Sequence, residues 1–248
     1  MTPRIRELTD RIRFKLGHLA PVKPSRLRLK RGALSLTFDD FPRSAWTEAG
    51  PVLAQHDVQA TYFPSGGLCS SRYLGLDQFT PKDLEEVANA GHEVGSHAFD
   101  HISVLKQSVR DFSTSISKNA AFLQSILPGK EIESFAYPFG NVTLSAKLKV
   151  ASRFVGGRGL GQQPNSGWID FSQVEAVGLE KRRRGLHDFP TLIENTAQNR
   201  GWLVIYTHDV GSNPSDWGCT ADEIDNLIRN ARQAGLDILP FQRIMKAA

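Results

Sequence analysis

Cysteine is scarce in this chain: Cys69 and Cys219 are the only two among 248 residues. Two cysteines make no disulfide framework, and neither belongs to a Cys-x-x-Cys pair, so a cysteine-based metal or redox centre has no support. Their scarcity points to a reducing cytoplasm. Long apolar runs are missing as well. Nothing approaches the roughly 18 consecutive apolar residues of a spanning helix, and the N-terminus shows no apolar signal core. The expected location is therefore the cytoplasm, or peripherally the inner face of a membrane. Basic residues interleaved with aromatics are absent, and so is any nucleic-acid-binding motif, which argues against a nucleic-acid partner. No internal repeat and no low-complexity segment is present.

What is present is ordinary in amount and uneven in placement. Charged residues make up 23% and apolar residues 40%, values of a soluble globular protein, and the length suits one large α/β domain or two small ones. The net charge of +4 is not shared along the chain. Residues 1–31 hold ten Lys/Arg against Glu7 and Asp10, a local +8, and the remainder is −4. Within this leader Ile5, Leu8, Ile12, Leu16 and Leu19 recur at helical spacing between Arg4, Arg6, Arg11, Arg13 and Lys15. Such a stripe either packs on the body or on a partner subunit, the commoner use, or lies on an anionic membrane surface through residues 1–20. Pro21 and Pro24 break the leader from the body of the chain, so residues 1–30 read as an N-terminal extension and 31–248 as the main domain.

Beyond the leader the pattern alternates. Strands are expected at Ala33–Phe38, Gln59–Pro64, Glu93–His97, Glu133–Tyr137, Arg153–Gly156, Gln173–Leu179, Trp202–Thr207 and Asp237–Pro240. Helices are expected at Thr47–His56, after Thr80-Pro81, at Val109–Leu127 behind Ser108, at Leu144–Ala151, at Pro190–Gln198 and from Thr220 to Ala234. Strand–helix alternation of this kind implies parallel strands with helical crossovers.

Two short stretches carry the chemistry. Thr37-Phe38-Asp39-Asp40 puts two carboxylates side by side at the end of an apolar run. His97-Ala98-Phe99-Asp100-His101 puts two imidazoles at i and i+4 around a carboxylate. One hard anionic ligand and two neutral nitrogens suit an open divalent-metal site. The second aspartate is then free to act as a general base on water held there. Taken alone, Asp-Asp is more often a turn and a spaced His pair arises by chance; Ser96 and Asp100 either fix the imidazole tautomers or cap the next turn. His208, at the end of Leu203–Thr207, is an acid candidate, with Asp209 either orienting it or starting a loop. Asp39, Asp40, His97 and His208 all fall at C-terminal strand ends, which share one face in a parallel barrel. The residues thus point to a metal-assisted hydrolase.

Thr37–Asp40, Ser96–His101, Phe135-Ala136-Tyr137-Pro138-Phe139-Gly140 and the Leu203–His208 strand occur in an order that resembles the NodB-type polysaccharide deacetylases, carbohydrate esterase family four. The resemblance runs from about Ala33 to about Phe241, and the first two motifs are its specific part. It implies a distorted (β/α) barrel of about seven parallel strands. It implies that Asp40, His97 and His101 hold a divalent metal, usually Zn2+, with Co2+, Ni2+ or Mn2+ as other occupants. It further implies Asp39 as the base, His208 as the acid for a departing amine, and the backbone near Pro138-Phe139, with Tyr137, beside the oxyanion. The implied substrate is an N-acetylated sugar or a polysaccharide or glycoconjugate precursor. A formyl group, a ureide-type C–N bond, and a decayed carbohydrate-binding protein are the competing readings.

Three positions depart from the family pattern. Ala98 stands where Ser or Thr usually follows the first His. Ala136 stands where an Arg usually pairs with the catalytic Asp, although a Phe-Ala-Tyr-Pro subgroup shares this, so the partner of Asp39 is unassigned. In place of an Asp that orients the acid His there is Glu180-Lys181-Arg182-Arg183-Arg184. Those arginines read first as a solvated edge, and second as contacts for a phosphate on a lipid- or nucleotide-linked sugar.

Overall fold

The computed structural model describes residues 13–247. Ile5, Leu8 and Ile12 of the expected leader helix lie outside the described residues; its described part, α1, covers residues 13–19. There follow β1 (Pro24–Arg26), β2 (Ala33–Asp40), α2 (Ser44–Thr47), α3 (Ala49–Gln55), β3 (Thr61–Pro64), β4 (Arg72–Tyr73) and β5 (Leu76–Asp77). The middle of the chain forms α4 (Pro81–Asn89), β6 (Glu93–Val94), α5 (Val109–Ile126), β7 (Ser134–Ala136), α6 (Leu144–Ala151), β8 (Gly156–Arg158) and β9 (Trp168–Asp170). The chain ends with β10 (Val177–Gly178), α7 (Phe189–Gln198), β11 (Trp202–Thr207), α8 (Ala221–Gln233), β12 (Asp237–Ile238) and α9 (Phe241–Ala247).

The strands β10-β11-β2-β3-β6 pair in that order, all parallel, and β7 pairs β8 in parallel. Single parallel bridges extend the ring, Ser96 to Phe135 between β6 and β7 and Arg158 to Val174 between β8 and the segment before β10. Seven of the eight strands expected from the alternation thus close into a distorted barrel, and the eighth, β12, is wedged against the start of β2. Every residue of β2 and β11 is buried, as a strand covered on both faces requires. Trp202, Phe63, Val204 and Phe241 fill the interior, while Leu34, Leu36, Ile205 and Leu227 pack sheet against helices.

The helix starts follow local chemistry. Thr80 with Asp83, and Thr220 with Glu223, form reciprocal capping boxes, and Ser108 accepts from the Asp111 N–H. The helix expected over Thr47–His56 is two, because Pro51 has no N–H to give the turn before it. The strand expected at Arg153–Gly156 sits later, at Gly156–Arg158, since α6 and its closing turn occupy the preceding residues. The hairpin of β4 and β5 turns on Leu74 and Gly75, both at positive φ, and is not among the expected elements. The described part of the extension is stitched to the barrel: β1 pairs antiparallel with β9, and the Val22 and Lys23 N–H groups donate to Asp170.

At the lower mouth α9 covers a buried carboxylate. Glu93 accepts from Thr61 Oγ1 at 2.8 Å, from the Gln242 N–H at 2.9 Å and from Ser134 Oγ. Burial outweighs these bonds and pushes Glu93 up to about 6 from an ordinary 4.5. The folded protein therefore holds this proton more tightly than the unfolded chain. The group's stabilisation is full below about pH 4.5 and is lost as pH rises through about 6. The loss is about 2 kcal/mol. Glu93→Gln is expected to remove that loss; urea midpoints of both proteins between pH 4 and 7 that run parallel would refute the assignment.

Candidate active site

β2 delivers its two aspartates to the upper mouth in different directions. Asp40 and Phe41 both take positive φ, 61° and 70°, so the chain turns sharply as the strand ends. Asp39 stays in the strand and faces the interior, whereas Asp40 swings toward the loop after β6. That loop carries His97 and His101, with Ala98 and His101 also at positive φ. Asn119 on α5 holds the loop in place, donating to Ser96 Oγ at 2.9 Å and to the Pro64 carbonyl at 3.1 Å, and accepting from the Gly66 N–H.

Asp40, His97 and His101 offer three ligand atoms that all lie within 4.8 Å of one another. Asp40 Oδ1 is 2.9 Å from His101 Nε2 and 3.5 Å from His97 Nε2. The His97 ring is set by Nδ1 against the Ala136 carbonyl at 2.7 Å, which leaves Nε2 turned to Asp40. Neither Ser96 nor Asp100 serves this purpose; Asp100 faces Lys118 instead. Burial lowers His97 to about 4 against the pull of Asp39 and Asp40, so the imidazole is neutral. Burial also works against the Asp40 charge, but His101, then His208 and His97, outweigh it and hold the carboxyl below the usual range. Asp40 Oδ1 is buried without a hydrogen bond of good geometry. One carboxylate oxygen and two imidazole nitrogens aimed at one point fit a divalent metal.

Asp39 has the partner that its motif lacks. Arg158, fully buried on β8, donates through one terminal nitrogen to both carboxylate oxygens. In the β7–β8 ladder Arg158 is the register partner of Ala136. The guanidinium therefore enters from the neighbouring strand, at the position directly beside the one the family pattern uses. A small side chain at Ala136 and the rings of Tyr206 and Phe63, 5.2 and 5.8 Å away, accommodate it. The sequence signal is a lone cation between Gly157 and Gly159 on a strand, which reading by motif passes over. Gly157 is needed there, since a Cβ would meet the Ser172 carbonyl at 2.9 Å.

His208 stands across the cleft, with Nδ1 3.2 Å from the Trp217 carbonyl and 3.6 Å from Glu180 Oε1. Asp209 does not orient it: its carboxylate accepts from the Ser215 N–H and hydroxyl and organises the loop. Glu180 is buried and receives Arg182 Nε at 3.1 Å, Arg183 Nε at 2.7 Å and the Tyr206 hydroxyl at 3.3 Å. The acidic partner of His208 is thus the residue that opens the basic run. Arg182 also lies 3.4 Å over the Trp217 ring. Arg184 is bidentate with Glu223, at 2.7 and 2.8 Å, away from the cleft. Each of the three arginines is paired with a carboxylate.

The cleft above these groups measures about 330 Å³ and is walled by Tyr73, Leu74, Leu76, Phe139, Leu160 and Trp217. Of these only Phe139 is legible in the sequence, because apolar side chains on loops carry no motif. Of the residues expected at the oxyanion, Phe139 lines the cleft with φ at 61°. Tyr137 is buried and donates its hydroxyl to the Ser172 carbonyl at 2.9 Å, and Pro138 is buried.

Residues 27–154, which span both metal-ligand motifs, match the family described as polysaccharide deacetylase. The chain belongs to that family. Among curated relatives of this polysaccharide deacetylase family member, the chitooligosaccharide deacetylase of Azorhizobium caulinodans is 25% identical over 201 residues, 80% of each chain. The peptidoglycan-N-acetylglucosamine deacetylase PgdA of Listeria monocytogenes is 37% identical over 86 residues, 34% of this chain and 17% of that protein. The Bacillus cereus peptidoglycan-N-acetylglucosamine deacetylase is 29% identical over 123 residues, 49% of this chain and 41% of that protein. The chain thus matches less than half the length of these two peptidoglycan deacetylases. Solved folds agree. The Bc1960 peptidoglycan N-acetylglucosamine deacetylase has a TM-score of 0.60 at 18% identity, covering 89% of this chain and 91% of that one. A CE4 family pseudoenzyme from Bacillus anthracis has a TM-score of 0.59 at 14% identity, covering 92% and 70%.

Proposed function

We propose that this chain is a metal-dependent carbohydrate N-deacetylase, a hydrolase that cleaves the amide of an N-acetylated sugar in an oligosaccharide or glycoconjugate. The observation that carries the reading is the pair of adjacent aspartates with separate fates, Asp40 joined to His97 and His101 and Asp39 joined to Arg158. The named relatives are deacetylases of such sugars, which supports it. Asp40, His97 and His101 would hold the cation, which when bound would supply Lewis-acid chemistry at the acyl oxygen and at the attacking water. Zinc suits the two imidazoles, and cobalt, nickel or manganese would be held by the same donors.

The protein's own groups do the rest. Asp39, aimed by Arg158, takes the proton from the attacking water. The Phe139 N–H borders the position where the oxyanion develops. His208, steadied at Nδ1 by the Trp217 carbonyl and by Glu180, presents Nε2 to the departing nitrogen and protonates it. Arg182 and Arg183 hold the Glu180 carboxylate in place, and thereby position His208. A phosphate on the substrate would have to compete with Glu180 for them.

The test is direct. Purified protein is expected to hold about one divalent ion per chain and to release acetate from N-acetylglucosamine oligomers. Chelation should stop release and zinc restore it. Stoichiometric metal with no acetate, but with formate released from an N-formyl sugar, would shift the acyl group and keep the site. Protein that binds no metal under any loading condition would remove the reading altogether.

A further inference from the structure

The flank of the barrel that follows the Phe139 loop presents an apolar and basic surface that the proposed reaction does not use. The helix α1 lies against the start of α6. Gly17 permits the approach, since a Cβ there would meet Thr143 Cα at 2.7 Å. Lys147, buried on α6, locks it by donating to the carbonyls of Gly17 at 2.8 Å and Ala20 at 2.7 Å while pairing with Asp170 at 2.7 Å. With the two helices fixed together, the leucines that neither buries are Leu16 at 57% and Leu19 at 78% exposed on α1, and Leu144 at 42% and Leu148 at 56% on α6. Leu144 and Leu148 are one turn apart and share a face. The surroundings are basic. Lys15 is exposed beside Leu16, and Arg110 and Lys149 line a groove between α5 and α6, with Arg153 exposed just beyond. Asp111, the acid nearby on α5, caps its own helix through Ser108. The leader's sequence adds Arg4, Arg6 and Arg11 against Glu7 and Asp10.

We infer that α1 and α6 together form a docking face for an anionic lipid surface. Charge complementarity selects this occupant. Exposed leucines flanked by cations of one sign match a leaflet whose acyl region accepts the leucines while its headgroups attract the cations. A second copy of the chain is disfavoured, because a twofold contact would set the same cations against each other. Lys147 and Gly17 make the face rigid, so it is presented without an ordering cost. α6 begins directly after the Phe139 loop, so docking brings the rim of the cleft close to the lipid.

The experiment is co-sedimentation of the full chain with vesicles of phosphatidylcholine alone and with about one-third phosphatidylglycerol. Binding is expected only to the anionic vesicles and should weaken between about 0.1 and 0.5 M salt. Leu16→Ser with Leu148→Ser, and separately Lys15→Glu with Lys149→Glu, should each lower the partition coefficient at least about tenfold. Both changes are at the surface, so acetate release from a soluble oligosaccharide should persist and verify folding. The charge variant keeps the test alive if the leucine variant folds poorly. No binding to anionic vesicles, equal binding to both vesicle types, or binding unchanged in both variants would overturn the inference. So would a concentration-dependent dimer that the leucine variant disperses while vesicles are ignored, which would assign the face to a second copy.

Discussion

Asp39→Asn should lower kcat by about 10²–10⁴ while leaving the metal content unchanged. Asparagine keeps the shape of the side chain and its contact with Arg158, but it cannot take a proton from water. Asp40→Asn should also abolish turnover, for a different reason. It removes the one anionic ligand of the three clustered donors, so bound metal should fall with activity. Metal analysis of the two variants side by side separates the roles. Metal lost from Asp39→Asn and kept in Asp40→Asn would mean that the base and the ligand are the other way round. Asp39→Asn also leaves Arg158 as a buried cation without its anion, so turnover should be assayed well below the melting midpoint.

Arg158→Ala should be the most damaging single change outside the Asp40, His97 and His101 cluster. Breaking one side of a buried ion pair costs about 3–5 kcal/mol, and Asp39 would remain as an uncompensated charge. Activity should fall as well, because Asp39 without Arg158 is no longer held in one orientation toward the water. Ala136 is the register partner of Arg158, so Ala136→Arg in the Arg158→Ala background returns a guanidinium to the same chamber from the adjacent strand. Part of the lost stability and part of kcat should come back. A double variant no better than the single one in either measure would show that the two strand positions are not interchangeable. A single variant as stable and active as the parent would show that the Asp39 contact is incidental.

Much of this site can be read from the chain because its parts lie in short runs. Asp39-Asp40 and His97–His101 are local patterns, and strand alternation already places them on one barrel face. Their supports are not local. Arg158 reaches Asp39 across 119 positions, and only strand pairing reveals that it stands beside Ala136. Asp209 is the nearest acid in sequence to His208, yet it turns into its own loop, and Glu180 from the preceding crossover approaches the ring. The basic run after Glu180 looks like a solvated edge or an anion site; folding turns Arg182 and Arg183 back onto Glu180 instead.

Pattern and spacing by themselves therefore pointed to the barrel and singled out Asp39, Asp40, His97, His101 and His208 as its candidate residues, since strand ends and short motifs are properties of contiguous residues. Which charges neutralise one another, and which apolar side chains wall the cleft, was decided by tertiary structure alone. A buried ion takes whichever counter-ion the strand register brings within reach, and that distance is not written in sequence separation. The basic leader is the third case. Its stripe is plain in the sequence, but only Lys147 and Gly17 show which of its leucines are left facing outward.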